Sequence, residues 1–161
     1  IRDAQESRGL GDVYKRQVLG DAQWKWLSKV INNESDLVVL LTSIQLLATE
    51  HRFEKWSNFS LERKRLIDLI EASGKQVIVI SGDRHRGGIY KYKNIYELTA
   101  SSMNRPASPT FETDSLLIGE THHEENYGIM SINTSGKVVK LILKNKDGAI
   151  LESIATPMSS H

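Results

Sequence analysis

The sequence has 161 residues, 21 Lys and Arg against 20 Asp and Glu, 3 prolines and no cysteine. That length suits roughly one domain, and 39% hydrophobic with 25% charged residues is ordinary globular usage, not disorder or a fibrous repeat. A net charge of +1 argues against a nucleic-acid partner held by bulk charge, the lack of cysteine excludes disulfide scaffolds and thiolate sites, and no apolar run approaches the ~20 residues that span a bilayer.

Residues 1–17, IRDAQESRGLGDVYKRQ, carry neither a hydrophobic period nor a signal-peptide core. Asp12–Gln17 back-translates to GAT GTG TAT AAG AGA CAG, a transposon end used in sequencing libraries. Ser7–Gly11 fits the adapter just upstream, Ile1–Asp3 fits a flow-cell primer end, and Ala4, Gln5 and Glu6 cover the barcode between them. The alternative is a natural polar leader. The adapter reading sets 1–17 aside as a non-native leader, with 18–156 as the C-terminal part of one domain and 157–161 as a tail. The remaining 144 residues hold 17 basic and 17 acidic side chains and are neutral. Any export signal would then lie upstream.

Asp21–Asn32 predicts a helix, with Trp24, Leu27 and Ile31 on one stripe and Trp26 and Val30 beside it. Trp24 and Trp26 are both assigned to the core. Asp36–Thr42 is a continuous apolar run, as expected of a strand covered on both faces. Ser60–Ser73 predicts a second helix. Ser60 is expected to cap it, Glu62 suits its first turn, Leu66, Leu69 and Ile70 form the stripe, and Gly74 ends it. Gln76–Ser81 is another fully apolar strand, and Tyr96–Ala100 is a further one. Asn104–Asn126, with Pro106 and Pro109, reads as one long loop, functional or mobile. Tyr127–Asn133, Lys137–Lys144 and Ala149–Ala155 predict three strands separated by TSG and KDG turns, an antiparallel meander counted as core. The fold class is α/β, a strand–helix–strand unit followed by the meander.

The chemistry-bearing motif is SGDRHRGG, Ser81–Gly88, directly after the strand QVIVI. Ligands in open α/β sheets collect beyond the carboxyl ends of strands. Asp83 and His85 are two residues apart, so an extended turn projects them to one side. A carboxylate and an imidazole together suit zinc, iron, manganese or calcium. The flanking glycines permit close approach of a ligand, and Arg84 and Arg86 offer forks that match phosphate oxygens. The competing reading is a solvated turn with an incidental histidine. Two ligands are too few for a metal site, so others would come from upstream.

Ser43 and Gln45 end the other buried strand and share a sheet edge with Asp83 if the strands are neighbours. HRFEKW, His51–Trp56, is a loop with three functional-looking side chains; in the alternative, Glu54 pairs with a basic neighbour and Trp56 packs on the following helix. Asn126 either orients a loop or touches the site. His122 and His123, in an acidic loop without spaced partners, are not read as ligands.

From Leu19 to about Ile142 the chain resembles the PhoD-like alkaline phosphatases, a branch of the calcineurin-like metallophosphoesterases. The resemblance rests on LGDAQWKWL, LLTSIQ, HRFEKWSNFSLERKRLIDLI, SGDRHRGGIY, YELTASSMNRP and ENYG in family order. It implies a four-layer α/β/β/α sandwich with a bimetal centre of divalent or trivalent ions at the strand ends. It implies Asp83 and His85 as metal ligands, and places Ser43 and Gln45 near the pocket with a less direct role. Tyr127 replaces the family's commoner phenylalanine, and the upstream strands with most ligands and the phosphate-seating residue are absent. The expected activity is hydrolysis of a small phosphate mono- or diester by a longer parent, with the fragment itself inactive. In that site Arg84, Arg86 and Gln45 are the candidate catalytic residues, and Ser43, Glu54 and Asn126 the candidate substrate contacts. The family is often exported, which suggests the periplasm, the cell surface or secretion. The alternative is a non-catalytic binding or structural module keeping the same fold. The sequence leaves the oligomeric state open.

Overall fold

The computed structural model describes residues 17–158. The reading of 1–17 as a foreign leader falls, apart from Gln17, outside the described residues.

Helix α1, Asp21–Ile31, buries Trp24, Leu27 and Ile31, with Asp21 in its first turn and Lys29 in its last, as the helix dipole favours. Trp26 is 63% exposed, which corrects its place in the core. At about 100° per residue it falls nearly opposite Trp24 and off the buried stripe. A 3-10 turn, Trp56–Asn58, leads into helix α2, Ser60–Ser73. Phe59, not Ser60, is the N-cap; Ser60 is the first helical residue and no side chain caps this end. Gly74 closes the helix in the left-handed conformation at φ 67°, where a side chain would be strained. Glu62 does more than favour the dipole. It is buried and accepts bonds from Trp24 Nε1 at 3.0 Å and from the backbone N–H groups of Val18 and Leu19 at 3.3 and 3.2 Å. One carboxylate thus ties the start of the described chain and both helices together.

Strands β1, Leu37–Leu41, and β2, Gln76–Ser81, pair in parallel with α2 as their crossover. Strands β3, Gly87–Tyr92, β4, Ile95–Ala100, and β5, Leu117–His122, complete a mixed sheet of order β1-β2-β4-β3-β5. Strand β5 corrects the reading of Asn104–Asn126 as one loop. Its segment carries Gly119 at φ 68° and exposed Glu120, which blur a strand signature. The expectation of cover on both faces holds for β2 and fails for β1. Among the described residues β1 lies at the sheet edge, with Leu41 80% exposed. Register places Val39 beside Ile78 and Leu41 beside Ile80, and the second sheet does not extend over that end of β1.

Strands β6, Asn126–Asn133, β7, Val138–Asn145, and β8, Ile150–Pro157, form the expected antiparallel meander. Its core character is confined to one face, chiefly Val139, Leu141 and Leu143 of the central strand. Pro157 belongs to β8 rather than to a tail, and Met158 N–H donates to Lys137 O at 2.7 Å.

Two apolar clusters set the layers. Val77 and Val79 of β2 pack with Trp24, Leu27, Leu66 and Ile70 of the helices. Ile78, Ile89 and Leu98 pack with Val139, Leu141 and Leu143 of the meander. The described residues are therefore a mixed α/β arrangement, with helices on one face of a mixed sheet and an antiparallel sheet on the other. A Cβ at Gly87 would lie 2.6 Å from Leu143, so the close approach permitted there is between the two sheets.

Candidate functional site

The carboxyl ends of β1 and β2 lie side by side. Thr42 N–H donates to Ile80 O at 3.0 Å, and a Cβ at Gly82 would sit 3.8 Å from Ser43 O. The condition set by the sequence is met: Ser43, Gln45 and the SGDRH turn occupy one sheet edge. Within that turn burial alternates. Asp83 is exposed and His85 half-buried, whereas Arg84 and Arg86 are buried. Asp83 and His85 both hold left-handed backbone, at φ 66° and 52°. For a residue other than glycine this costs of order 1 kcal/mol or more each, though Asp and His tolerate it better than most. Neither side chain makes a hydrogen bond or ion pair among the described residues.

The two arginines are fully engaged. Arg84 Nη2 meets both Glu112 oxygens at 2.7 and 2.6 Å, and its guanidinium lies 4.5 Å from the Phe53 ring centroid. Arg86 donates to Thr110 O at 2.6 Å, Ser108 O at 3.0 Å and Thr110 Oγ1 at 2.6 Å. These bonds pin the segment between β4 and β5 across the end of the sheet. Asp114 pins it again, accepting from Thr49 N at 2.6 Å and Glu50 N at 3.0 Å. Burial alone would raise the Asp114 carboxyl, but bonds from the Thr49, Leu116 and Glu50 N–H groups outweigh it and hold it below the ordinary value. Between this segment and His51–Phe53 opens a cleft of about 720 Å³ whose lining includes His85, Arg84, Arg52 and Phe111.

Gln45 is buried beneath the cleft. Its Nε2 donates to Thr99 Oγ1 at 2.9 Å, and its Oε1 lies 2.9 Å from His51 Nε2. Phe53 N–H donates to His51 Nδ1 at 3.2 Å. That bond uses the Nδ1 lone pair, so Nε2 carries the proton toward Gln45 and the ring is neutral. Burial, then the positive charges of Arg84 and Lys55, lower the His51 pKa to about 4. Burial also pushes the Tyr90 hydroxyl up to about 12. The His51 shift has a sign for stability. The folded value lies below the unfolded value of about 6.5, so only the unfolded chain takes up this proton between the two. Stability is therefore expected to fall as pH drops from about 6.5 toward 4. The ring is half-exposed, which limits the loss to on the order of 1 kcal/mol. Urea midpoints between pH 7.5 and 4 check this, and His51→Gln should flatten that part of the slope.

Among the remaining sequence candidates, Glu54 is exposed and makes no ion pair among the described residues. Trp56 is buried as expected and donates to Thr42 Oγ1 at 3.0 Å. Asn126 is buried and orients a loop, donating to Ser102 Oγ at 2.5 Å and Glu124 O at 2.8 Å. Sequence reasoning missed Glu97, Arg63 and Glu112. Arg63 donates to Leu46 O and Leu47 O at 2.8 and 3.1 Å, while Glu97 receives the N–H groups of the same two residues. Their partners lie far off in sequence, and no local spacing marks them.

Asp83 and His85 offer two donors, a carboxylate and an imidazole, that suit a hard or borderline cation. No group of three or more His, Cys, Asp or Glu side chains comes together among the described residues. By donor type the pair suits such a cation, which would need further donors.

No family model matches the chain, and no curated protein matches it. Among solved structures it is similar to GAP50, described as the anchor in the inner membrane complex of Plasmodium, with a TM-score of 0.70 at 11% identity. The match covers 86% of this chain and 42% of that one, so the chain spans less than half the length of its neighbour. At that identity the likeness is one of fold.

Proposed function

We propose that this chain is the C-terminal part of a metal-dependent phosphoesterase of the PhoD-like kind, within a four-layer α/β/β/α sandwich completed by upstream residues. The observation that carries the reading is the contrast inside one turn. Arg84 and Arg86 are buried ties, while Asp83 and His85 stand unengaged on left-handed backbone at the end of a buried parallel strand. Strain held by side chains with no structural partner suggests a ligand absent from the fold itself. Asp83 and His85 would hold a divalent or trivalent cation, calcium, iron, zinc or manganese, as two donors of a set completed upstream. Such a cation supplies Lewis-acid polarisation of a phosphoryl oxygen.

The chain's own residues have narrower tasks. Arg52, without an ion pair among the described residues, places positive charge on the cleft wall, where a phosphate ester mono- or dianion would bind, while Arg84 holds Glu112 and the Phe53 ring. Gln45 and His51 form the neutral, hydrogen-bonded base beneath it. The cleft segment carrying Phe111 and Glu112 bounds the space for the ester group. The family resemblance suggests a periplasmic, cell-surface or secreted parent. No helix among the described residues is long and apolar enough to cross a membrane.

A second reading has one observation in its favour: a chain of similar fold is described as an anchor. On that reading this protein is a non-catalytic module. Activity separates the two. The parent, with its upstream residues, should hydrolyse an aryl phosphate with added manganese, calcium, iron or zinc and lose that activity to a chelator. Residues 18–161 alone should not, because they hold too few donors. A parent inactive with every cation would overturn the phosphoesterase reading. Activity from 18–161 alone would show that the site is complete without upstream residues.

A further inference from the structure

The cleft carries two exposed aromatic rings from two different loops. Phe53 is 48% exposed and Phe111 is 80% exposed. Both line the same cleft as His85. The loops holding them are not loose. Phe111 lies between Thr110 and Glu112, which are bonded to Arg86 and Arg84. Phe53 N–H is bonded to His51, and its ring lies 4.5 Å from the Arg84 guanidinium and 5.2 Å from that of Arg52. Flanking residues bonded to the turn thus hold Phe111 out into solvent, although an exposed ring that size loses the gain of burial. Arg52, on the same wall, makes no ion pair among the described residues, whereas the charge of Arg84 is met by Glu112. Apolar rings and cationic forks therefore share one space of about 720 Å³, large enough for a small ligand.

We infer that the ester this cleft accepts carries an aromatic group: an aryl or nucleobase-bearing phosphate, with its planar ring against Phe111 and Phe53 and its phosphate toward Arg52 and His85. The inference rests on the phosphoesterase reading and goes beyond it by naming the substrate class. An alkyl phosphate leaves both phenyl rings in water. A planar ring covers them, and aromatic pairing of this kind is worth up to about tenfold in affinity. Phe111 sets that preference, because Phe53 is already stacked by arginine.

The test is equilibrium binding to the 161-residue chain, followed by ligand-observed NMR, with phenyl phosphate, methyl phosphate and benzyl alcohol as probes. Phenyl phosphate should bind about tenfold more tightly than methyl phosphate. Phe111→Ala should remove most of that difference by weakening phenyl phosphate binding far more than methyl phosphate binding. Because Phe111 is so exposed, the variant should fold as the parent chain does, and an unchanged circular dichroism spectrum checks this. Equal affinity for the two phosphates would overturn the aromatic preference and leave the phosphoesterase reading standing. Benzyl alcohol binding as tightly as phenyl phosphate would overturn the inference from the other side, because the cleft would then recognise a ring without phosphate. Failure of all three probes to bind would overturn it as well.

Discussion

Glu97→Ala is expected to destabilise the chain by about 3–5 kcal/mol. Glu97 lies on β4, is fully buried, and accepts the N–H groups of Leu46 at 2.9 Å and Leu47 at 2.6 Å. Burial raises its carboxyl above the ordinary value, against the opposing pull of those two N–H bonds, of Ser81 and of the Arg63 charge. Removing the side chain leaves two buried donors without an acceptor, each costing about 1–3 kcal/mol, and adds the cost of a cavity. Arg63 would still hold the carbonyls of the same two residues, so the segment would be bonded on one side only. Glu97→Gln keeps the volume and one carbonyl acceptor and should cost about half as much. Glu54→Ala, at an exposed position without an ion pair, should stay within about 0.5 kcal/mol. Urea midpoints for the three variants decide the matter. A loss below about 1 kcal/mol for Glu97→Ala would mean that the Gln45–Leu47 segment is held by its apolar packing alone.

The sequence carried the elements whose pattern is local. QVIVIS is a run of buried residues, and its strand is found at the expected bounds, Gln76–Ser81. The Gly74 stop of α2 is equally local, and so are Leu66 and Ile70 of its stripe, though Ile67 rather than Leu69 is the third buried apolar residue. Strand β3 escaped notice because two of its six residues are glycines, whose role is to admit Leu143 and Tyr90 rather than to display a period. Strand β5 was hidden in the same way by Gly119. Cover of a sheet face is not a local property either: LVVLL reads as doubly buried, yet Leu41 is 80% exposed because no layer among the described residues covers that end of β1. The site divides along the same line. The Asp83 and His85 spacing is visible in five letters. The engagement of Arg84 and Arg86 is not, because Glu112 and Thr110 lie more than twenty residues away and reach them only through the fold. Arginines that look like free anion forks in the sequence are in the structure the ties of a loop.

That distinction produces the largest expected effect on function. In the intact parent, His85→Ala should lower metal content and turnover together, with turnover falling on the order of a hundredfold or more, since metal activation contributes several kcal/mol. The thermal transition of the metal-free protein should hardly move. The His85 ring makes no hydrogen bond among the described residues, and its left-handed backbone, somewhat easier for His than for Ala, adds only a small loss in the variant. Arg86→Ala, one residue on, should give the opposite signature. It removes the donors to Thr110 and Ser108, so the cleft segment loses its anchor and both carbonyls lose their partner. Stability should fall by about 2–3 kcal/mol while bound metal is retained at temperatures below the lowered transition. Elemental analysis, calorimetry and steady-state kinetics on the two variants side by side separate a ligand from a tie. If His85→Ala keeps full metal content and near-normal turnover, His85 is no ligand and SGDRH is a strained turn whose only task is to carry Arg84 and Arg86 to the loop they hold.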